Sequence, residues 1–257
     1  MKRPLLIVNA DDYAMNESLS AAIRAAFSDG LISSSSCFAT SPIFDDEIRK
    51  AFAAGVKTFG VHLDLSFGKP VSSAVGQSEF PEKAAKALTK DQIKFEFDAQ
   101  IKKALDSGVQ VSHLDNHRDE LYWEWEKFEV VHELAAQYSL PIRSPLGKNA
   151  SELARKIFHD DDNIKLIEIL VRRHEEIRKK YNTRTTDYFY SLEHYRQEPL
   201  EKIKQIIEVF ELQQTAIELC VHLTHETAGA MTERQFLSQN ELYKDLFKKH
   251  RGTFADV

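Results

Sequence analysis

The chain has only two cysteines in 257 residues, Cys37 and Cys220, and no Cys-x-x-Cys pair. Both sit in apolar, strand-like contexts, which excludes a disulfide framework and a cysteine-built structural metal knuckle. No apolar run approaches the roughly 20 residues that a membrane-spanning helix needs, so no membrane partner is expected. No basic block interleaved with aromatics is present and the formal charge is −6, so no nucleic-acid partner is expected either. A Gly-rich phosphate cradle of the Walker type is missing. There is no internal repeat, low-complexity tract or linker. The length suits one large or two small domains, and residues 1–257 are read as a single domain. After Lys2 and Arg3, only Leu5 to Val8 are apolar before Asn9 and two aspartates. That run is too short for the apolar region of a signal peptide, so it reads as a first strand and a cytoplasmic location is expected.

What is present is an alternation of strand and helix signals. Apolar spacing predicts helices over Asn16–Phe27, Phe44–Ala54, Asp91–Asp106, Trp123–Tyr138, Ser151–His159, Asn163–Tyr181, Pro199–Leu212 and Glu233–Lys249. Strand signals fall on Leu5–Val8, Leu31–Thr40, Thr58–Leu65, Val109–Leu114, Pro141–Arg143, Thr185–Leu192 and Ala216–Leu223. Residues 66 to 90 carry Gly68, Pro70, Gly76 and Pro81 with little periodicity, and read as a long loop. Strand–helix units with few hairpin signals favour a parallel sheet. About seven strands in this length suit an α/β fold of the (β/α) barrel type better than an open doubly wound sheet, although spacing alone does not show closure.

Three segments end strands and carry metal-ligand chemistry: Asn9-Ala10-Asp11-Asp12, Gly60-Val61-His62-Leu63-Asp64 and His113-Leu114-Asp115-Asn116-His117. In α/β folds ligands bind at the strands' C-terminal edge. Adjacent aspartates reach one pocket if the strand breaks there, and crowded carboxylates repel unless a cation relieves them. Neutral imidazoles are natural co-ligands of such a cation. Each segment alone also has a plain structural reading: Asp12 or Asn16 can cap the next helix, and a histidine after a strand can be a hydrogen-bonded core residue.

Taken together these segments resemble the YdjC-type carbohydrate deacetylases. Val8-Asn9-Ala10-Asp11-Asp12-Tyr13 is similar to the family's opening motif. Gly60 to Ser66 followed by Gly68-Lys69-Pro70 looks like its second, and His113 to His117 like its third. Thr185 to Phe189 and Glu218 to His222 match weaker segments further on. The resemblance implies an irregular (β/α) barrel related to polysaccharide deacetylases. It implies one divalent metal ion, Mg2+ or Zn2+, held by Asp12, His62 and His117, with Asp11 as base and His222 as the acid that protonates the leaving amine. Magnesium is usual for the family, whereas the histidine and aspartate set suits zinc by softness. The implied substrate is an N-acetylated sugar or oligosaccharide, and a homodimer is compatible with the chain.

The chain departs from the family where Arg118-Asp119-Glu120 follows His117 and where His222-Leu223-Thr224-His225 replaces the usual His-Pro-Gly, so His225 competes with His222 for the acid role. Asp64, Asp115 and Arg143 are assigned to substrate binding. Asp115 alternatively orients a ligand imidazole or forms a turn, and Arg143 alternatively orients a carboxylate or holds the oxyanion. His113 reads as structural, Trp123 and Trp125 as core or helix-face residues, and Tyr188-Phe189-Tyr190 as core. His132, His159, His174, His194 and His250 read as solvated. Two other functions keep the fold: a metal-dependent hydrolase of another bond such as a phosphoester, and a non-catalytic sugar-binding barrel.

Overall fold

Six runs of apolar and small residues pair into one parallel sheet in the computed structural model, which describes residues 3–118, 120–150, 161–192, 198–211, 213–224 and 231–257. In chain order the strands are β1 (Leu5–Tyr13), β2 (Ser34–Cys37), β3 (Thr58–Leu63), β4 (Gln110–Asn116), β5 (Tyr188–Ser191) and β6 (Ala216–Val221). They lie side by side in the order β4-β3-β2-β1-β6-β5. The two edges, β4 and β5, meet through the expected short seventh strand only as single parallel bridges, Leu114 to Ile142 and Ile142 to Thr185. The fold is therefore α/β with a parallel sheet, as expected, and the 141–143 segment spans between its edges.

The helices wrap this sheet for readable reasons. Helix α1 (Glu17–Ser28) starts where the Asn16 side chain accepts from the Leu19 amide, so Asn16, not Asp12, is the cap. Helix α2 is Phe44–Ala53, and a single short turn, α3 (Ala84–Ala87), interrupts the long loop before α4 (Lys90–Asp106). Thr89 and Gln92 close a capping box at the start of α4, and Ile93, Phe97, Ile101 and Ala104 bury one face of it. A four-residue turn, α5 (Glu120–Trp123), precedes α6 (Trp125–Tyr138), which packs on α7 (Asp161–Tyr181). Helix α8 is Glu198–Val209. The closing helix expected over 233–249 is two helices, α9 (Glu233–Gln239) and α10 (Glu241–His250). Asn240 separates them because its side chain caps the second by accepting from the Tyr243 amide. The helix expected over 151–159 lies outside the described residues.

Two histidines read as solvated are buried. His132 on α6 and His174 on α7 are 2% and 4% exposed. They share the α6–α7 interface with Phe128, and His132 is held by the Thr183 hydroxyl at 2.6 Å. Helical spacing cannot tell a polar outer face from a face covered by another helix, and α7 supplies that cover. His250 shares a hydrogen bond with the Pro4 carbonyl, and His159 and His194 lie outside the described residues.

Alternation along the strands sorts the sheet's two faces. On β1, Leu6, Val8 and Ala10 join the main apolar cluster, while Asn9 and Asp11 take the opposite parity. On β6, Glu218 and Cys220, with His222 just beyond, alternate with Ile217, Leu219 and Val221. His62 on β3 pairs in register with Asp115 on β4. One face of the sheet thus carries polar groups, and they meet at its C-terminal end.

Candidate active site

The two adjacent aspartates reach one place because β1 is irregular there. The β1–β2 register shifts between Ala10 and Tyr13, and Asp12 sits at φ +71°, a left-handed conformation that aspartate tolerates better than most residues. The Asp12 carboxylate is buried, and its Oδ1 lies 3.2 Å from His62 Nε2 and 3.3 Å from His117 Nδ1. Among the described residues these two imidazoles are the polar groups that face that buried oxygen. Ligand atoms about 2.0–2.2 Å from a common ion stand about 3 Å from each other, so the three residues fit a divalent cation. Burial alone would raise the Asp12 pKa, but hydrogen bonding to His117 and His62 holds it far below the usual carboxylate range. Burial alone would lower the His62 imidazole, but the Asp115 and Asp11 carboxylates hold it well above its ordinary value. The surroundings thus favour positive charge at this point.

The ligand rings are set from behind. His62 Nδ1 bonds Asp115 Oδ1 at 3.0 Å, and the Ser36 hydroxyl lies 3.3 Å from the same nitrogen. This leaves Nε2 directed at Asp12, the arrangement in which a carboxylate fixes a ligand histidine. Phe38, fully buried, meets both His62 and His117 edge-on and forms the apolar wall. His117 Nδ1 is placed by its own backbone, whose amide donates to the Leu63 carbonyl at 3.0 Å.

Asp11 Oδ2 lies 3.9 Å from His62 Nε2, but its hydrogen bonds come from a different set of partners. Arg143 grips it with two hydrogen bonds, 2.7 Å to Oδ2 and 2.6 Å to Oδ1. Asn9 donates to Oδ1 at 2.8 Å and the Cys220 thiol to Oδ2 at 3.3 Å. Burial would raise the Asp11 pKa, but the Arg143 charge and hydrogen bonds outweigh it and keep the carboxylate ionised. Arg143 is carried by the 141–143 segment, where its amide donates to the Leu114 carbonyl. Its guanidinium also faces Asp115 Oδ2 at 3.1 Å and Glu218 Oε1 at 2.7 Å. Burial pushes Glu218 up to about 7 despite Arg143. Arg143 therefore ties Asp11 to the carboxylate behind His62. His222 ends β6 with its backbone amide donating to Glu233 Oε2 at 2.5 Å, and its imidazole joins Asp11 and Cys220 in one cluster. His225 lies outside the described residues.

Asp64, Asp115 and Arg143, expected at the substrate, are buried and bonded to other groups of the protein. Asp64 is 2% exposed and gives both oxygens to its own loop, accepting from the Ser66 and Phe67 amides and the Ser66 hydroxyl. Asp115 and Arg143 are 1% and 4% exposed, and their partners are the site's own side chains. His113 is structural as expected: it stacks on Phe254 with centroids 3.6 Å apart and covers Gly60, where a Cβ would lie 2.2 Å from its ring. Sequence reasoning passed over Asn9, Cys220 and Glu218 as site residues. The signal for the last two was their spacing, two and four residues before His222 on one strand.

A cavity of about 330 Å³ adjoins this end of the sheet, lined by Leu63, Ser66, Phe80, Lys83, Asn116 and Arg118 among others. It lies under the 66–90 loop, which α4 anchors: Glu96 accepts from the Val71 and Ser72 amides, and Gln100 binds both the amide and the carbonyl of Asp64. Gly68 lets that loop cross close to Thr40, whose carbonyl a Cβ at Gly68 would strike at 2.1 Å.

The family pattern described as YdjC-like protein matches residues 5–251. The chain belongs to the YdjC-like family. It is 30% identical over 155 residues to a carbohydrate deacetylase of Thermoanaerobacter pseudethanolicus, covering 56% of this chain and 61% of the relative. It is 28% identical over 187 residues to a carbohydrate deacetylase of Listeria monocytogenes, covering 66% of this chain and 75% of the relative. The chain thus aligns with less than two thirds of the first of these relatives and three quarters of the second. A solved structure from Enterococcus faecalis V583, described as that of a proposed cellobiose-phosphate cleavage protein, superposes with a TM-score of 0.71 at 18% identity. It covers 99% of this chain and 98% of that one, and shows that the YdjC-like chain shares its fold.

Proposed function

We propose that this YdjC-like protein is a metal-dependent hydrolase that removes the acetyl group from an N-acetylated sugar or oligosaccharide. The observation that carries the reading is the convergence of His62 Nε2 and His117 Nδ1 on the buried Oδ1 of Asp12, beside a second carboxylate, Asp11, that Arg143 grips and whose Oδ2 lies 3.9 Å from His62 Nε2. Support for the substrate class comes from the curated relatives named carbohydrate deacetylase.

Asp12, His62 and His117 would hold the divalent cation. When bound, such an ion polarises an amide carbonyl and lowers the pKa of water. Asp11 is kept ionised by Arg143 and would be the base that accepts a proton from attacking water, while the donors from Arg143, Asn9 and Cys220 fix the orientation of its carboxylate. Arg143 stays buried and positions Asp11. His222 is the proton donor to the departing nitrogen, a step that amide cleavage requires because an amide anion leaves very poorly. The adjoining cavity beneath the 66–90 loop is where a sugar unit would lie, with Lys83 and Arg118 at its rim. A purely sugar-binding barrel would have no use for an ionised aspartate aligned by a buried arginine beside a complete ligand triad.

The test is release of acetate and free amine from N-acetylglucosamine oligomers, followed with and without a chelator. Activity that a chelator abolishes and a divalent cation restores is expected. No release from any N-acetylated sugar by the cation-loaded protein would overturn the reading.

A further inference from the structure

The polar face of β6 carries a thiol, Cys220, whose part above is only to donate a hydrogen bond to Asp11, a part that needs no sulfur. We propose that Asp11, Cys220 and His222 form a second cation site, selective for thiophilic divalent ions such as Zn2+, Cd2+ or Co2+, whose occupation turns the enzyme off. Carboxylate, thiol and imidazole each offer one ligand atom, and the three atoms lie within 4.8 Å of one another. The β1–β6 register, Asn9 opposite Cys220 and Ala10 opposite Val221, brings Asp11 to the thiol. Alternation along β6 brings His222 to the same face. Asp12, His62 and His117 are not in this set, so the two cations would share no ligand, although the sites are neighbours: Asp11 Oδ2 lies 3.9 Å from His62 Nε2.

The Cys220 Sγ to Asp11 Oδ2 separation is 3.3 Å, bridged by the thiol proton. With metal–sulfur near ~2.3 Å and metal–oxygen near ~2.1 Å, atoms that far apart subtend roughly 100° at an ion, close to tetrahedral. An incoming dication replaces that proton: the S–H bond breaks heterolytically, the sulfur lone pair binds the ion, and one proton leaves to solvent. The Asp11 Oδ2 lone pair that had accepted the S–H is released to the ion in the same exchange. The local charge allows it, since the single guanidinium of Arg143 faces three carboxylates, Asp11, Asp115 and Glu218. Magnesium is excluded by chemistry, because it prefers oxygen ligands and retains its waters. The inhibitory consequence rests on the reading of Asp11 as base and His222 as acid: an ion bound to both removes both.

The probe is Co2+, titrated into the full-length protein and followed by absorption. Wild type is expected to develop a thiolate-to-cobalt charge-transfer band. Cys220→Ser should lose the band, while Cys37→Ser, which removes the only other thiol, should keep it. His62→Ala should weaken the other site and keep the band, so the spectroscopic result stands whether or not the protein deacetylates sugars. In the deacetylation assay, Zn2+ beyond one equivalent should inhibit wild type, and excess Mg2+ should not. A wild type without the band, or a band that survives in Cys220→Ser, would overturn the site. A band in an active enzyme that excess Zn2+ does not inhibit would overturn the switch.

Discussion

Replacing Asp115 by Asn tests the architecture behind the metal ligands. The side chain keeps its shape and loses its charge. Asp115 Oδ1 now bonds His62 Nδ1 at 3.0 Å, and Oδ2 faces Arg143 at 3.1 Å. An amide can satisfy only one of these partners. With its oxygen toward His62, its NH2 group meets the Arg143 guanidinium, donor against donor. With its oxygen toward Arg143, its NH2 group meets His62 Nδ1 and drives the imidazole proton to Nε2, the atom that faces Asp12. Either orientation weakens His62 as a ligand. Losing such a partner typically costs about 10–100-fold in metal affinity, or about 1.4–2.8 kcal/mol. Calorimetric titration of the apoprotein with a divalent cation reads this directly. Asp64→Asn is the control, because Asp64 serves only its own loop and the site should not feel its charge. A dissociation constant for Asp115→Asn within about twofold of wild type, measured on folded protein, would refute the reasoning.

Three further outcomes are expected. His222→Ala should lower kcat by about 10²–10⁴-fold with the cation retained, as loss of a general acid does; near-normal turnover would place the acid elsewhere, with His225 the first candidate. Gly60→Ala should destabilise the fold by about 1–3 kcal/mol, a fall in Tm of roughly 2–12 °C, because the new Cβ meets a His113 ring pinned by Phe254; an unchanged melting temperature would contradict that packing. Burial pushes His132 down to about 3 and His174 down to about 4, with His174 adding to the effect on His132. The unfolded chain protonates near the ordinary value of about 6.5, so it binds protons that the folded state refuses. Stability should therefore fall as the pH drops from about 6.5 toward 4, by up to about 1.4 kcal/mol per pH unit for each ring. Denaturant titrations at several pH values should show a shallower slope in His174→Phe than in wild type, and equal slopes would count against the buried pair.

How much of this was legible beforehand follows from the range of the interactions. Asp12, His62 and His117 announced themselves because each ends an apolar strand run within a few residues. The strand–helix alternation was likewise local, and the sheet follows it closely. The bulge that lets Asp11 and Asp12 face different partners was not legible, since the run Leu5–Val8 says nothing about where pairing with β2 slips. Nor was the role of Arg143, which reaches Asp11 across 132 residues and Glu218 across 75. Its sequence context left substrate binding and the orienting of a carboxylate both open, because a lone arginine after a strand looks alike whether its partner is a ligand or a buried carboxylate. Cys220 entered the site through strand register, and His132 and His174 became buried through helix packing. Spacing placed Cys220 on the face of His222, but its meeting with Asp11 and the covering of the two histidines are long-range events that spacing does not encode.

The most direct test of the central claim compares Asp11→Asn with Asp12→Asn, measuring bound divalent cation and acetate release on the same preparations. Asp12 touches both histidines, and Asp11 is held by Arg143, Asn9 and Cys220. The account predicts that Asp11→Asn keeps the cation held by His62 and His117 and loses turnover, while Asp12→Asn loses that cation and turnover together. Loss of that cation from Asp11→Asn with full occupancy in Asp12→Asn would contradict it.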